Sequence, residues 1–133
     1  MLATIGDAIK ARLEGLNLFK AVENGFSKRA LQSPPSAVFF LSSDTIATDT
    51  PSPTRRLIWE VVFLVSYIDP VKGQGTMNEI LDAVRPAFTR WQAVPVGCLP
   101  SSVPRIRFEG TEETLLIYSA QITMDVFPET IGN

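Results

Sequence analysis

The residue groups with chemical potential in this sequence are few, and each has a simpler structural explanation beside it. Lys72-Gly73-Gln74-Gly75-Thr76 precedes a helical pattern, and free N–H groups at a helix start attract anions. A phosphate-binding loop places its Lys directly before Ser or Thr after a longer glycine-spaced run. Here that order is reversed, so a flexible strand-to-helix turn is the better account. Cys98 sits in a proline-rich stretch of a chain with no histidine. Nothing stands ready to activate it, and it reads as an incidental thiol. Glu109, Glu112 and Glu113 crowd a turn and read as a solvated acidic tip, with weak cation binding or a partner's basic patch as the alternative. Arg55 and Arg56 open a long apolar strand; paired arginines are usually solvated, but Arg is also enriched at interfaces. Trp59 and Trp91 fall in register on apolar stripes, which favours core packing over ligand stacking.

The absence of histidine and the single cysteine remove the usual zinc sites, Ser-His-Asp triads and Cys-His pairs. An internal disulfide is impossible, and a reducing compartment is the natural setting. The expectation is therefore a non-enzymatic protein with no catalytic residue, no cofactor and no metal. A net charge of −2 and a pI near 5.1 provide no positive field for nucleic acid or an anionic membrane. No stretch approaches the ~18 uninterrupted apolar residues of a membrane span. Residues 1–13 carry Asp7 inside an apolar pattern without a leading basic patch, which reads as a folded helix and not a signal peptide.

The length of 133 residues suits one domain over 1–133. Leu2, Ile5, Ile9, Leu13 and Leu16 recur at helical spacing, predicting an amphipathic helix that ends near Gly15. Residues 18–23 alternate as a short strand, 27–32 form one or two helical turns stopped by Pro34 and Pro35, and 37–41 make a buried strand. Residues 42–53 are dominated by Ser, Thr, Asp and Pro. That composition predicts an exposed, mobile loop over about 42–56.

The strongest strand follows at 57–68, largely apolar on both faces. Leu57, Trp59, Val61, Phe63, Val65 and Tyr67 line one face, and Ile58, Glu60, Val62, Leu64, Ser66 and Ile68 lie on the other. Twelve such positions extend ~40 Å, about the diameter of a domain this size, so the strand is expected to bend, bulge or project. Residues 69–75 turn the chain. Thr76 and Glu79 have capping-box spacing, and a helical stripe from Met77 to Trp91 contains Pro86, predicting a kink near 82–85 or two short helices. After a proline-rich connector at 93–104, strands at 105–109 and 114–127 flank a turn at 110–113 and form a hairpin.

The resulting class is α+β, with a four- or five-stranded largely antiparallel sheet and two main helices on one face. One helical layer covers one side of a sheet, whereas strand 57–68 asks for cover on both. The surplus apolar surface predicts a subunit contact made by Arg55, Arg56, Ile58, Val62 and Leu64.

The N-terminal helix, Pro34-Pro35-Ser36-Ala37-Val38-Phe39-Phe40, the Ser/Thr/Asp-rich segment and the Trp59–Val65 strand occur in an order that resembles phage tail terminator proteins. The helix ending Phe88-Thr89-Arg90-Trp91 and the final Tyr118–Val126 strand continue the resemblance across nearly the whole chain. It implies a hexameric ring of identical subunits on the head-proximal end of a tail tube. Its partners would be the tail tube protein and a head completion or connector protein. Its location would be the virion tail, after assembly in the host cytoplasm. The alternatives are another head–tail connector or tail completion protein, and a ferredoxin-like small-molecule-binding regulatory domain.

Overall fold

A computed structural model of the chain describes residues 1–49 and 53–127. They form helices α1 (Leu2–Glu14), α2 (Lys28–Gln32) and α3 (Pro70–Ala87), and strands β1 (Ala21–Asn24), β2 (Ser36–Ala47), β3 (Thr54–Ser66), β4 (Arg105–Glu112) and β5 (Leu115–Val126). The strands make a five-stranded sheet in the order β1-β2-β3-β5-β4. β1 runs parallel to β2, and the other neighbours are antiparallel. This is the expected α+β class.

The period-two pattern of β3 decides the layering. Leu57, Trp59, Val61, Phe63 and Val65 join Ile5, Ile9 and Leu13 of α1 and Met77, Ile80 and Val84 of α3 in the main core. The four-residue spacing of the α1 set stacks those side chains on one helix face. Fully burying each contributes about 1.5–3 kcal/mol. The opposite face of the sheet has a much smaller cluster, with Ala30 of the five-residue α2 sealing Val38 and Leu64.

Several expected boundaries move. Residues 42–47, expected as the start of a mobile loop, continue β2. Ser43 to Ala47 pair with Ile58 to Thr54 after a register shift at Ser42. Cross-strand pairing with β3 supplies what the local composition lacks. Residues 54–56 belong to β3 itself, and 50–52 of the expected loop lie outside the described residues. β3 does not project alone, because β5 pairs with it from Arg55 to Ser66; the irregularity lies in β2.

α3 begins six residues before the expected Thr76 cap. Asp69 is the N-cap, its Oδ1 accepting from the Val71 and Lys72 N–H groups at 3.1 and 3.2 Å, and Pro70 occupies the first turn. An N-cap acid followed by Pro satisfies the exposed helix start. Pro86 falls next to the C-terminal residue, and α3 is one helix from Pro70 to Ala87, not the two short helices that the sequence also allowed. At the last hairpin, β4 extends to Glu112 through an irregularity between Phe108 and Gly110, so the turn tightens to Glu113 and Thr114.

Candidate assembly surface

The sheet face away from α1 and α3 is assembled from alternate residues of β2, β3 and β5. Phe40, Ile58, Glu60, Val62, Ile117, Ser119 and Gln121 occupy it, as the registers Val38↔Val62↔Ser119 and Phe40↔Glu60↔Gln121 require. Ile58, Glu60, Val62 and Ile117 are half-buried in the isolated chain. Phe26, 65% exposed, packs on Phe40 with ring centroids 5.7 Å apart. An apolar strip with single charges in it therefore faces solvent beside the patch sealed by α2.

Of the five residues expected at a subunit contact, three share this face and remain accessible: Arg56, Ile58 and Val62. Leu64 lies on the same face but is only 2% exposed beneath α2, so it has little surface left to offer. Arg55 lies on the opposite face, by the alternation of side chains along a strand.

Both arginines are engaged within the chain. Arg55 donates from Nε to Asp44 Oδ1 at 2.6 Å and from Nη2 to Oδ2. Arg56 faces Asp125 directly across the β3–β5 pair, donating from Nε at 2.9 Å and from Nη2 at 3.1 Å. It also bridges to Asp49 at 3.3 Å. Such forked Arg–carboxylate geometry is the stronger form of surface ion pair. Hydrogen bonds from Arg55 and Arg56 hold the Asp44 and Asp49 carboxyls below their usual range. The arginine pKa values move upward through hydrogen bonds to Asp44 and, for Arg56, to Asp125 and Asp49. The pair thus ties the end of the β2–β3 hairpin to itself and to β5.

The remaining chemical candidates find structural places. Lys72 and Gly73 lie within α3, whose N-terminus is occupied by the Asp69 carboxylate. Gly73 packs so closely on the end of β3 that an added Cβ would lie 2.6 Å from the Ser66 carbonyl oxygen. Cys98 is buried, its Sγ 3.9 Å from Met124 Sδ. Glu109 accepts from Ser119 Oγ at 2.7 Å and pairs with Arg107 at 3.3 Å. Trp59 is in the main core beside Phe39, while Trp91 packs edge-on against Phe88 under the Arg12 guanidinium. Among the described residues no group of three or more His, Cys, Asp or Glu could hold a metal ion, and no helix is long and apolar enough to cross a membrane.

Sequence reasoning missed Asp44, Asp49 and Asp125 as partners of the two arginines. The available signal was a pair of acids and a pair of arginines flanking one turn, which becomes informative only once the register is known.

No protein-family model and no curated protein matches the chain. Among solved structures, a chain in the virion of a native gene transfer agent (GTA) particle is similar, with a TM-score of 0.53. The match covers 95% of this chain and 93% of that one at 12% identity. At that identity the likeness is one of fold.

Proposed function

We propose that this chain is a structural protein of a phage-like virion that forms a ring, expected to be hexameric, on the head-proximal end of the tail tube. The ring ends tube polymerisation and presents the surface to which the head joins. The observation that carries this reading is the shared fold along 95% of the chain with a chain of a GTA virion. Fold alone does not determine function, and two further features support the proposal. The half-buried strip of Ile58 and Val62 with Arg56 at its end suits contacts within an assembled tail. Cys98, Trp59 and Trp91 are taken up in packing, and Arg55, Arg56 and Glu109 in ion pairs within the chain.

A terminator acts on the growing end of a polymer, so one ring suffices for a whole tube. Several modest protomer contacts made together produce a tight cap. Deleting the gene from its phage or particle is therefore expected to leave overlong tubes and tailless heads in electron micrographs. Tails of normal length that fail to join heads would indicate a connector instead. Normal infectious particles would overturn the structural reading altogether.

A further inference from the structure

The two edges of the sheet differ in a way that fits one to the other. β4 pairs with β5 and β1 with β2, so among the described residues neither has a strand on its outer side. Unpaired strand edges are templates for further pairing. β4 is largely exposed, Phe108 to 59%. Along β1 runs a groove of about 370 Å³, lined by Lys10 and Glu14 of α1, Phe19, Lys20 and Val22, and Arg29 of α2.

Strand direction sets a first constraint. Reading across the sheet, β1 and β2 point one way, β3 the other, β5 back again, and β4 opposite to β5. β4 is thus antiparallel to β1. If a second copy continued the sheet with the same face forward, its β1 would lie antiparallel to β4, the more stable pairing per residue.

Charge sets a second constraint, independent of the first. β4 begins with Arg105 and Arg107 and ends at Glu109 and Glu112, whereas along the β1 segment Lys20 comes first and Glu23 follows. Antiparallel addition brings the arginines toward Glu23, which within its own chain pairs with Arg29 at 3.6 Å, and the glutamates toward Lys20. Parallel addition would bring like charges together at both ends. Side-chain alternation agrees: Arg105, Arg107 and Glu23 lie on the face that carries α2, while Phe108 and Val22 lie on the face under α1 and α3. Opposite charges and apolar pairs would therefore each meet their kind of partner across the joint.

We infer that the β4 edge of one subunit adds antiparallel to the β1 edge of the next, making a head-to-tail joint that continues the sheet from copy to copy. The occupant of the β1 groove is a second copy of this chain. Such a heterologous contact closes into a ring when its rotation permits. The inference rests on the ring reading and supplies its joint; Ile58 and Val62 then remain on the continuous face for other proteins of the tail.

The test uses the full chain with Glu23→Cys combined with Arg107→Cys, and with Arg105→Cys one same-face position further along. Buried Cys98 stays in place, and the unmodified chain serves as control. After mild oxidation, one of the two combinations should give a ladder of covalent oligomers beyond the dimer on a non-reducing gel, while the single variants stop at dimers. Separately, Arg107→Glu should weaken association at least tenfold in a mass-against-concentration series, and adding Glu23→Lys should restore most of it. Circular dichroism confirms that each variant folds. Oligomers without a ladder or charge rescue would overturn the edge joint and leave the ring reading standing. A strict monomer at every concentration, with no ladder, would overturn both.

Discussion

At the scale of single residues, Arg55 and Arg56 are the instructive pair. Both stand where an interface arginine could stand, yet each is held by acids of its own chain: Asp44 for Arg55, Asp125 and Asp49 for Arg56. Their role in the protomer is to fix the hairpin end. The associated pH dependence follows from linkage. Asp44 and Asp49 have folded pKa values below the ordinary 3.8, so their pairing stabilises the fold fully above the unfolded value. That stabilisation disappears as pH falls through the depressed folded values. We expect the urea midpoint to lose less between pH 5 and pH 2.5 in an Arg55→Gln/Arg56→Gln variant than in the unmodified chain. An equal loss in both would show that these pairs do not couple to folding. Because the groups are solvent-accessible, added salt should narrow the same difference at pH 5.

At the scale of elements, α3 offers two matched comparisons. Asp69 caps the helix and Thr76 lies inside it. Asp69→Ala should therefore cost about 1 kcal/mol, whereas Thr76→Ala should lie within about 0.5 kcal/mol of the unmodified chain. Denaturant unfolding separates them, and a reversed order would mean that the helix starts where the Thr76–Glu79 spacing predicts. Gly73 and Gly75 make the second comparison. Replacing Gly by Ala within a helix brings up to about 1 kcal/mol in propensity. At Gly75 nothing lies within 4 Å of the added Cβ, so that gain should be seen. At Gly73 the Cβ would lie 2.6 Å from backbone oxygen and 2.9 Å from the Tyr67 ring. Separating α3 from β3 should then cost about 1–3 kcal/mol, as overpacking does. Equal midpoints for the two variants would contradict the observed helix–sheet approach.

At the scale of the whole molecule, the two faces of the sheet have different work. The face under α1 and α3 holds the fold, with Phe39, Phe63, Leu57 and Ile122 fully buried. The other is sealed at one end by α2 and open elsewhere. A charge placed on the open part should disturb assembly more than folding. Ile58→Glu is expected to lower the unfolding midpoint by an equivalent of no more than about 1 kcal/mol, since only part of the side chain leaves an apolar setting. In virion assembly it should reduce joined, normal-length particles at least tenfold. Val61→Glu, three residues away on the buried face, should abolish folding instead. An Ile58→Glu chain that assembles normally would remove this strip from the proposed contacts.

The sequence by itself determined the features that repeat within a few residues. The four-residue stripe of α1 and the alternation of β3 and β5 identify these elements, because periodicity depends only on which side chains must leave water. The absence of histidine and the single cysteine were equally legible from composition. Tertiary structure decided what depends on a distant partner. Residues 42–47 look like loop in isolation and become strand because β3 supplies their hydrogen bonds and side-chain neighbours. Asp69 outcompetes Thr76 as a cap because Gly73 lets α3 begin against the end of β3. Leu64 and Val62 have the same period and the same face, yet only α2, arriving through a parallel β1–β2 connection, makes one inaccessible and leaves the other available. Arg55 and Arg56 differ by one position along the chain, and the strand sends them to opposite faces. Asp44 lies 11 residues from Arg55 and Asp125 lies 69 from Arg56, separations that no local pattern encodes and only the register of the folded sheet can close.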